Sequence, residues 1–569
     1  MKSIKPTLLG LMIMTAQPGL APSAIAAQQT AETILTNAVF YTGKPVKAVA
    51  IADGKIIAMG KQSDINAYRS PNTEVIDLEG AFVLPGFVDN HNHVFEAASE
   101  AGGNCELSMD ASLEEQIPYL LQCSKISQKN ASSENDWLMG YGFSLDMTLS
   151  DDNTRTPLEV LDEIFPDQPV VLMEQTSHSM WVNSQALKLA GITKDSLEPQ
   201  GGKILTDHVT GELNGILFDS AGDVVMEMAW NSLADKFNQS YDGLMNGLEE
   251  AAVHGITTIG DGRLYWKRGW YDVWKAAEKD DALTARVSLR PWIYPSDSIE
   301  AQLPYLKRIQ SRDPESRLIV DQVKMYSDGI LINGTAKTLA PYLSTYIEDE
   351  PYGINYIAPT AMKSWLKALD KIGYGAHIHA IGDGAINESL NAIESVRQTH
   401  SNRDYTLTHV EMVQDADLPR FKALNVTADF QVGSDYIVEH DHEWAVPFIG
   451  EKRANNMMQV NRLYQTGANV SLSSDWNVHD INPLVGISNS LLMGATGLPD
   501  IKTAIDAYTI NAAVSLGLDD ITGSIEVGKS ADFVVLDKDI RTMKPKNIPN
   551  ALVMLTMLQG EVVFDSDDK

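Results

Sequence analysis

Leu84-Pro85-Gly86-Phe87-Val88-Asp89-Asn90-His91-Asn92-His93 is an apolar run that ends in two histidines one residue apart. In an extended strand residues i and i+2 point the same way, so both imidazoles can face one point. Neutral imidazole is the commonest metal ligand. An isolated His-x-His pair fits a buried structural pair equally well, so its meaning depends on what surrounds it. Reading the run as a strand, Phe82–His93, seven more apolar stretches follow. They are Gly255–Asp261, Ala285–Ile293, Leu318–Tyr326, Gly375–Ile381, Tyr405–Val410, Val426–Gln431 and Asn469–Asp475. Amphipathic helical segments lie between them. Strands alternating with helices predict a parallel sheet, and eight such units predict an α/β fold of the TIM (β/α)8 barrel type. Such barrels build their sites at the C-terminal ends of the strands, which is where His91 and His93 fall.

One spacing is irregular. About 160 residues separate the first two strands, far too many for one crossover, so residues 96–250 are expected to hold an inserted substructure. The two ends of the chain share a different texture. Residues 27–82 contain short strands broken by glycine turns, including an Asp53-Gly54 hairpin, and residues 521–569 repeat the pattern with Gln559-Gly560 at a bend. Neither end can bury a core alone. Together they predict a small discontinuous β-sandwich domain flanking a barrel over residues 83–520, which makes the barrel a distorted one.

Composition narrows the function classes. The formal charge of the 569-residue chain is −32, which disfavours nucleic acid as a partner because a net-acidic protein repels phosphates. Lys2 and Lys5 precede an apolar run from Leu8 to Met14 and the small-residue stretch Ala24-Ile25-Ala26-Ala27. That order predicts a signal peptide over residues 1–26 and export to the periplasm or beyond. Its removal takes away two lysines and no acid, so −32 becomes −34. No later stretch is long and apolar enough for a membrane span. The two cysteines, Cys105 and Cys123, are close enough in sequence to close a compact loop; behind a leader a disulfide is favoured over two buried thiols.

Other strand ends carry polar residues suited to a metal pair: Lys324 with Asp328-Gly329, His377-Ile378-His379 with Gly382-Asp383, His409 with Glu411, and Ser474-Asp475-Trp476. With these motifs in order, and with Pro85-Gly86-Phe87-Val88-Asp89, His178-Ser179-Met180-Trp181-Val182-Asn183-Ser184, Gly255-Ile256-Thr257-Thr258 and the tail Gly523–Asp532, the chain resembles the amidohydrolase superfamily over about residues 30–565. The branch it resembles is amidohydrolase family 3, that of N-substituted formamide deformylase-like metal-dependent hydrolases.

The resemblance implies that His91 and His93 bind a first divalent metal and His379 and His409 a second, with Zn2+ expected at both. Lys324 resembles the lysine that is carboxylated to bridge two ions, with an unmodified lysine paired to Asp328 or a substrate carboxylate, and one metal bound, as the alternative. Asp475 would ligate the first metal and act as the catalytic proton shuttle, and His178, Asp328 and Trp476 would contact substrate. His377, one layer deeper than His379, is read as core packing. Thr408 and Phe143 stand where relatives often carry glutamate and tryptophan. The implied activity is hydrolysis of a non-peptide C–N bond in a small-molecule amide such as an N-acyl or N-formyl amine. Hydrolysis of cyclic amides, esters or carbamates, and a non-catalytic periplasmic regulatory role on the same scaffold, are the alternatives. The oligomeric state, a homo-oligomer included, stays open.

Overall fold

The structure is a computed structural model describing residues 29–98, 103–130, 136–150, 153–313, 316–434, 437–438 and 442–568. The expected signal peptide, residues 1–26, lies outside the described residues.

Strand β1, Phe87–Asn92, is buried along its whole length, as a strand covered on both faces must be. It pairs in parallel with β2, Ile256–Asp261, which pairs with β3, Arg286–Ser288. Gly86 lets β1 start so close to β2: a Cβ there would lie 2.1 Å from Thr257 Oγ1. Leu318–Ile319 pairs with β3, and a parallel bridge between Trp292 and Lys324 carries the sheet on to β4, Gln322–Tyr326. Next in order come β5, Gly375–Ala380; β6, Tyr405–His409; β7, Val426–Gln431; and β8, Val470–Ser473, each parallel to its predecessor. A parallel bridge between Asn92 and Trp476 joins β8 back to β1. The architecture is therefore mixed α/β and TIM-barrel-like.

The helices between strands follow the same logic. Helix Pro359–Lys371 opens on a proline at its first turn and buries Met362, Trp365, Leu366 and Leu369, one stripe at 3- and 4-residue spacing. No helix among the described residues is long and apolar enough to cross a membrane.

Three further sheets surround the barrel. Val39–Phe40, Phe82–Pro85, Phe533–Leu536, Val553–Leu558 and Glu561–Asp565 form one five-stranded sheet from both ends of the chain. A four-stranded sheet holds Ala48–Ala52 against Lys55–Gly60, and Leu35, Val49, Val83, Phe533 and Met557 share one apolar cluster between the two sheets. Asp53 and Gly54 both take positive φ, as do Gln559 and Gly560, which suits two-residue hairpins whose turns match strand twist. The third sheet has six strands, from Cys105–Glu106 to Leu213–Asp219, and a disulfide ties Cys105 to Cys123 across a Cα separation of 5.3 Å.

Candidate metal centre

Five strand ends deliver the groups that meet above the barrel. From β1, His91 Nε2 and His93 Nε2 lie 3.1 Å apart. Asp475, just past β8, places Oδ1 at 3.3 Å from the first and 3.2 Å from the second. His91, His93 and Asp475 thus offer three ligand atoms to one point, all buried. From β4, Lys324 brings Nζ to 3.2 Å from His91 Nε2. From β6, His409 sets Nδ1 at 3.9 Å from Asp475 Oδ2, and its ring centroid is 4.4 Å from that of His379 on β5.

The tautomer of His379 follows from its partner. Nε2 faces the carbonyl oxygen of Gly329 at 3.1 Å, which can only accept, so Nε2 carries the proton. The lone pair is then on Nδ1, buried without a hydrogen-bond partner. Burial pushes His379 and His377 well below the ordinary imidazole range. Burial does the same to His91 and His409 against the pull of Asp475. These rings are neutral, the form that ligates. Lys324 is held well below its usual value by burial, against the pull of Asp475 and with the help of Arg290 and Arg263, which favours the neutral amine. For Asp475 burial works upward, but the hydrogen-bonding contacts of His91 and His93 hold its carboxyl well below the usual carboxylate range. Neutral imidazoles, with His93 Nδ1 and His379 Nδ1 left unpartnered, around a buried carboxylate that no lysine or arginine pairs with among the described residues, form a donor set that fits a divalent ion.

The backbone is strained where these side chains turn inward. His409, Val410 and Asp475 have φ of 76°, 47° and 57°, and Ser177 and Asp219 have 62° and 55°. Non-glycine residues in this region cost about 1–3 kcal/mol each and persist where the surroundings over-determine them.

The remaining expected residues fall as follows. His178 lines the same cleft as His93, His409 and Asp475; its ring stacks on Tyr326, and Nδ1 lies 2.8 Å from Asp219 Oδ1. Trp476 is half-buried against the main core, its carbonyl accepting from the His93 N–H. Asp328, expected to contact substrate, accepts from the main-chain N–H groups of Ile381, Gly382 and Lys337 at 3.1, 2.9 and 2.8 Å, contacts that hold the turn after β5. His377, read as core packing, brings Nε2 to 2.8 Å from His91 Nδ1 and lies in a second group of potential ligands with Asp429. Asp429, however, already accepts from Asn90, Thr408, Gln431, Ser471 and Ser473, so its oxygens are used within the protein. Thr408 bonds His91 Nδ1 at 3.0 Å.

Asp219, Asp429, Asn90 and Arg290 were not singled out in the sequence. Arg290 grips Asn90 and Gln322 in the barrel floor, and Asp89 accepts from the N–H and hydroxyl of Ser474 at 3.0 and 2.6 Å, which fixes the approach to Asp475.

A family model described as the amidohydrolase family matches residues 74–564. N-substituted formamide deformylase of Arthrobacter pascens is 25% identical over 540 residues, spanning 91% of this chain and 95% of that protein. Protein LONG AFTER FAR-RED 3 of Arabidopsis thaliana is 27% identical over 558 residues, 94% of this chain and 92% of its own. Among solved structures, an uncharacterized metal-dependent hydrolase from Pyrococcus horikoshii superposes with a TM-score of 0.69 at 22% identity, covering 90% of this chain and 99% of that one, a likeness of fold.

Proposed function

The chain belongs to the amidohydrolase family, and on that basis we propose that it is a metal-dependent hydrolase of a non-peptide C–N bond in a small molecule, foremost an N-acyl or N-formyl amine. The observation that carries this reading is the meeting of His91 Nε2, His93 Nε2 and Asp475 Oδ1 within 3.3 Å of one another. His91, His93 and Asp475 would hold a first ion, and His379 and His409 a second, with zinc suited to so many imidazoles. A bound ion of this kind supplies Lewis acidity and brings the pKa of water toward neutral.

The protein's own groups do the rest. Asp475 Oδ1 is shared by two imidazoles, which leaves Oδ2 to take a proton from the attacking water and return it to the leaving nitrogen as the C–N bond breaks. His178 has Nδ1 engaged by Asp219, so Nε2 is the nitrogen available to a substrate in the cleft. Burial lowers the pKa of Lys324 and favours its neutral amine; adding CO2 with release of one proton would convert it into an anionic bridge. The Cys105–Cys123 disulfide supports maturation in an oxidising, exported compartment.

Metal analysis of the purified protein, followed by a panel of N-formyl amines, N-acyl amines, lactams and lactones, tests this reading. Near-stoichiometric metal with turnover of linear amides is expected. Bound metal with no turnover on any member of the panel would sink it.

A further inference from the structure

A second space adjoins the cleft over the proposed metal ligands. Ser177 and Arg263 line both, and beyond them stand Glu96, Met173, Met180, Met226, Asp223, Tyr265 and Arg268. Four arginines are buried among the described residues, and three are anchored by protein acceptors. Arg286 pairs with Asp532, Arg290 bonds Asn90 and Gln322, and Arg263 donates to Tyr326 Oη at 3.1 Å and lies 3.5 Å from Glu96. Arg268 differs. It is 6% exposed, its guanidinium lies over the Tyr265 ring at 3.7 Å with no protein acceptor among the described residues, and its buried Nε, like that of Arg263, has no hydrogen-bond partner. Stacking on an aromatic face orients the guanidinium but leaves its in-plane N–H groups without acceptors. A guanidinium withdrawn from water without acceptors is costly, so its retention calls for an acceptor that arrives with the ligand.

Ser177 adds a second observation. Its hydroxyl is buried without a partner in the wall common to both spaces, on a residue with φ of 62°. A planar acceptor with two oxygens matches the guanidinium fork, and the three methionines offer an adaptable apolar wall beside it. Asp223 and Glu227, the nearby acids, are pushed upward by burial against the pull of Arg268.

We propose that this chamber is a carboxylate subsite centred on Arg268, which makes the substrate an amide that also bears a carboxylate next to an apolar group. The substrate assignment rests on the hydrolase reading above; the binding of carboxylate does not.

Calorimetry with phenylacetate and phenylacetamide on the full chain, both metal-loaded and chelator-treated, tests it. Phenylacetate should bind about tenfold or more tighter than the amide in both forms. Arg268→Gln should abolish that preference, and Arg268→Lys should retain part of it. Equal binding of acid and amide by the wild type, or a preference present only with metal or unchanged in Arg268→Gln, would overturn the subsite. Should Arg268→Gln fail to fold, the chelator-treated wild type still decides, since no ion is then present to hold the acid. Turnover of N-formylphenylalanine against N-formylphenethylamine separates the two ideas. Carboxylate binding without hydrolysis of either compound would count against the hydrolase alone. Hydrolysis of the neutral formamide without carboxylate binding would count against the subsite alone.

Discussion

The main-chain N–H of Asp475 donates to the carbonyl of His91 across 2.8 Å, and the same two residues meet again where His91 Nε2 lies 3.3 Å from Asp475 Oδ1. The seam that joins β8 to β1 is therefore also the place where the proposed ligands converge. An ion bound there would cross-link the first and last strands of the barrel.

Metal binding should then appear as thermal stability. An ion at 100 to 1,000 times its Kd stabilises the folded state by about 3–4 kcal/mol, so melting followed with zinc and with excess chelator should differ by several degrees. His91→Ala should remove that difference. A wild-type melt indifferent to chelator would argue against a bound ion at this seam.

Asp475→Asn separates ligation from proton transfer. Asparagine is the substitution to choose because it tolerates the φ of 57° at this position and keeps the shape of the side chain. It can still ligate through oxygen but cannot carry a proton between water and nitrogen. The expected loss in kcat is about 10²–10⁴-fold, with metal content largely retained. Activity near wild type in the metal-loaded variant would remove Asp475 from the proton path.

Much of this was readable in the sequence because barrel strands announce themselves as buried runs and their C-terminal ends carry the polar residues. His91, His93, His379, His409 and Asp475 each close such a run, so period-2 geometry and strand order suffice to bring them together. Asn90 and Arg290 gave no such sign. Their partners lie on other strands, 200 residues away in one case, and a polar residue inside an apolar run does not reveal which neighbour it meets. For Asp328 the sequence shows the acid but not the three backbone N–H groups that face it. Asp219 was hidden for a related reason: it stands 41 residues from His178, and only the pairing of Ser179 with Phe218 in the six-stranded sheet brings them side by side.

That pairing makes a prediction of its own. Asp219 acts through His178, fixing the proton on Nδ1 and the orientation of the ring. Removing such a partner of an active-site imidazole costs about 10–100-fold. Asp219→Asn should therefore lower kcat/KM by that order. Asp219→Gly should lower it similarly while relieving the strain of a φ of 55°, worth about 1 kcal/mol or more. A glycine variant that melts no lower than wild type yet has lost activity fits a positioning residue; full activity in both variants would show that His178 needs no such support.

The loop carrying His178 should also make stability depend on pH. Glu174, at the end of the strand before that loop, accepts the N–H of Thr176 at 3.0 Å, and burial raises its pKa from 4.5 to about 7. The folded state thus holds a proton that the unfolded chain releases near pH 4.5, so its contribution to stability is full below that pH and is lost as pH rises through about 7. The shift corresponds to about 3 kcal/mol at most. Glu174→Gln keeps an acceptor for Thr176 and carries no charge at any of these pH values. Denaturant unfolding at about pH 5 and pH 8 should show wild type losing more stability than Glu174→Gln across that interval. Equal losses in the two proteins would mean that Glu174 is ionised in the folded state throughout, and that the N–H groups of the 174–178 turn outweigh its burial.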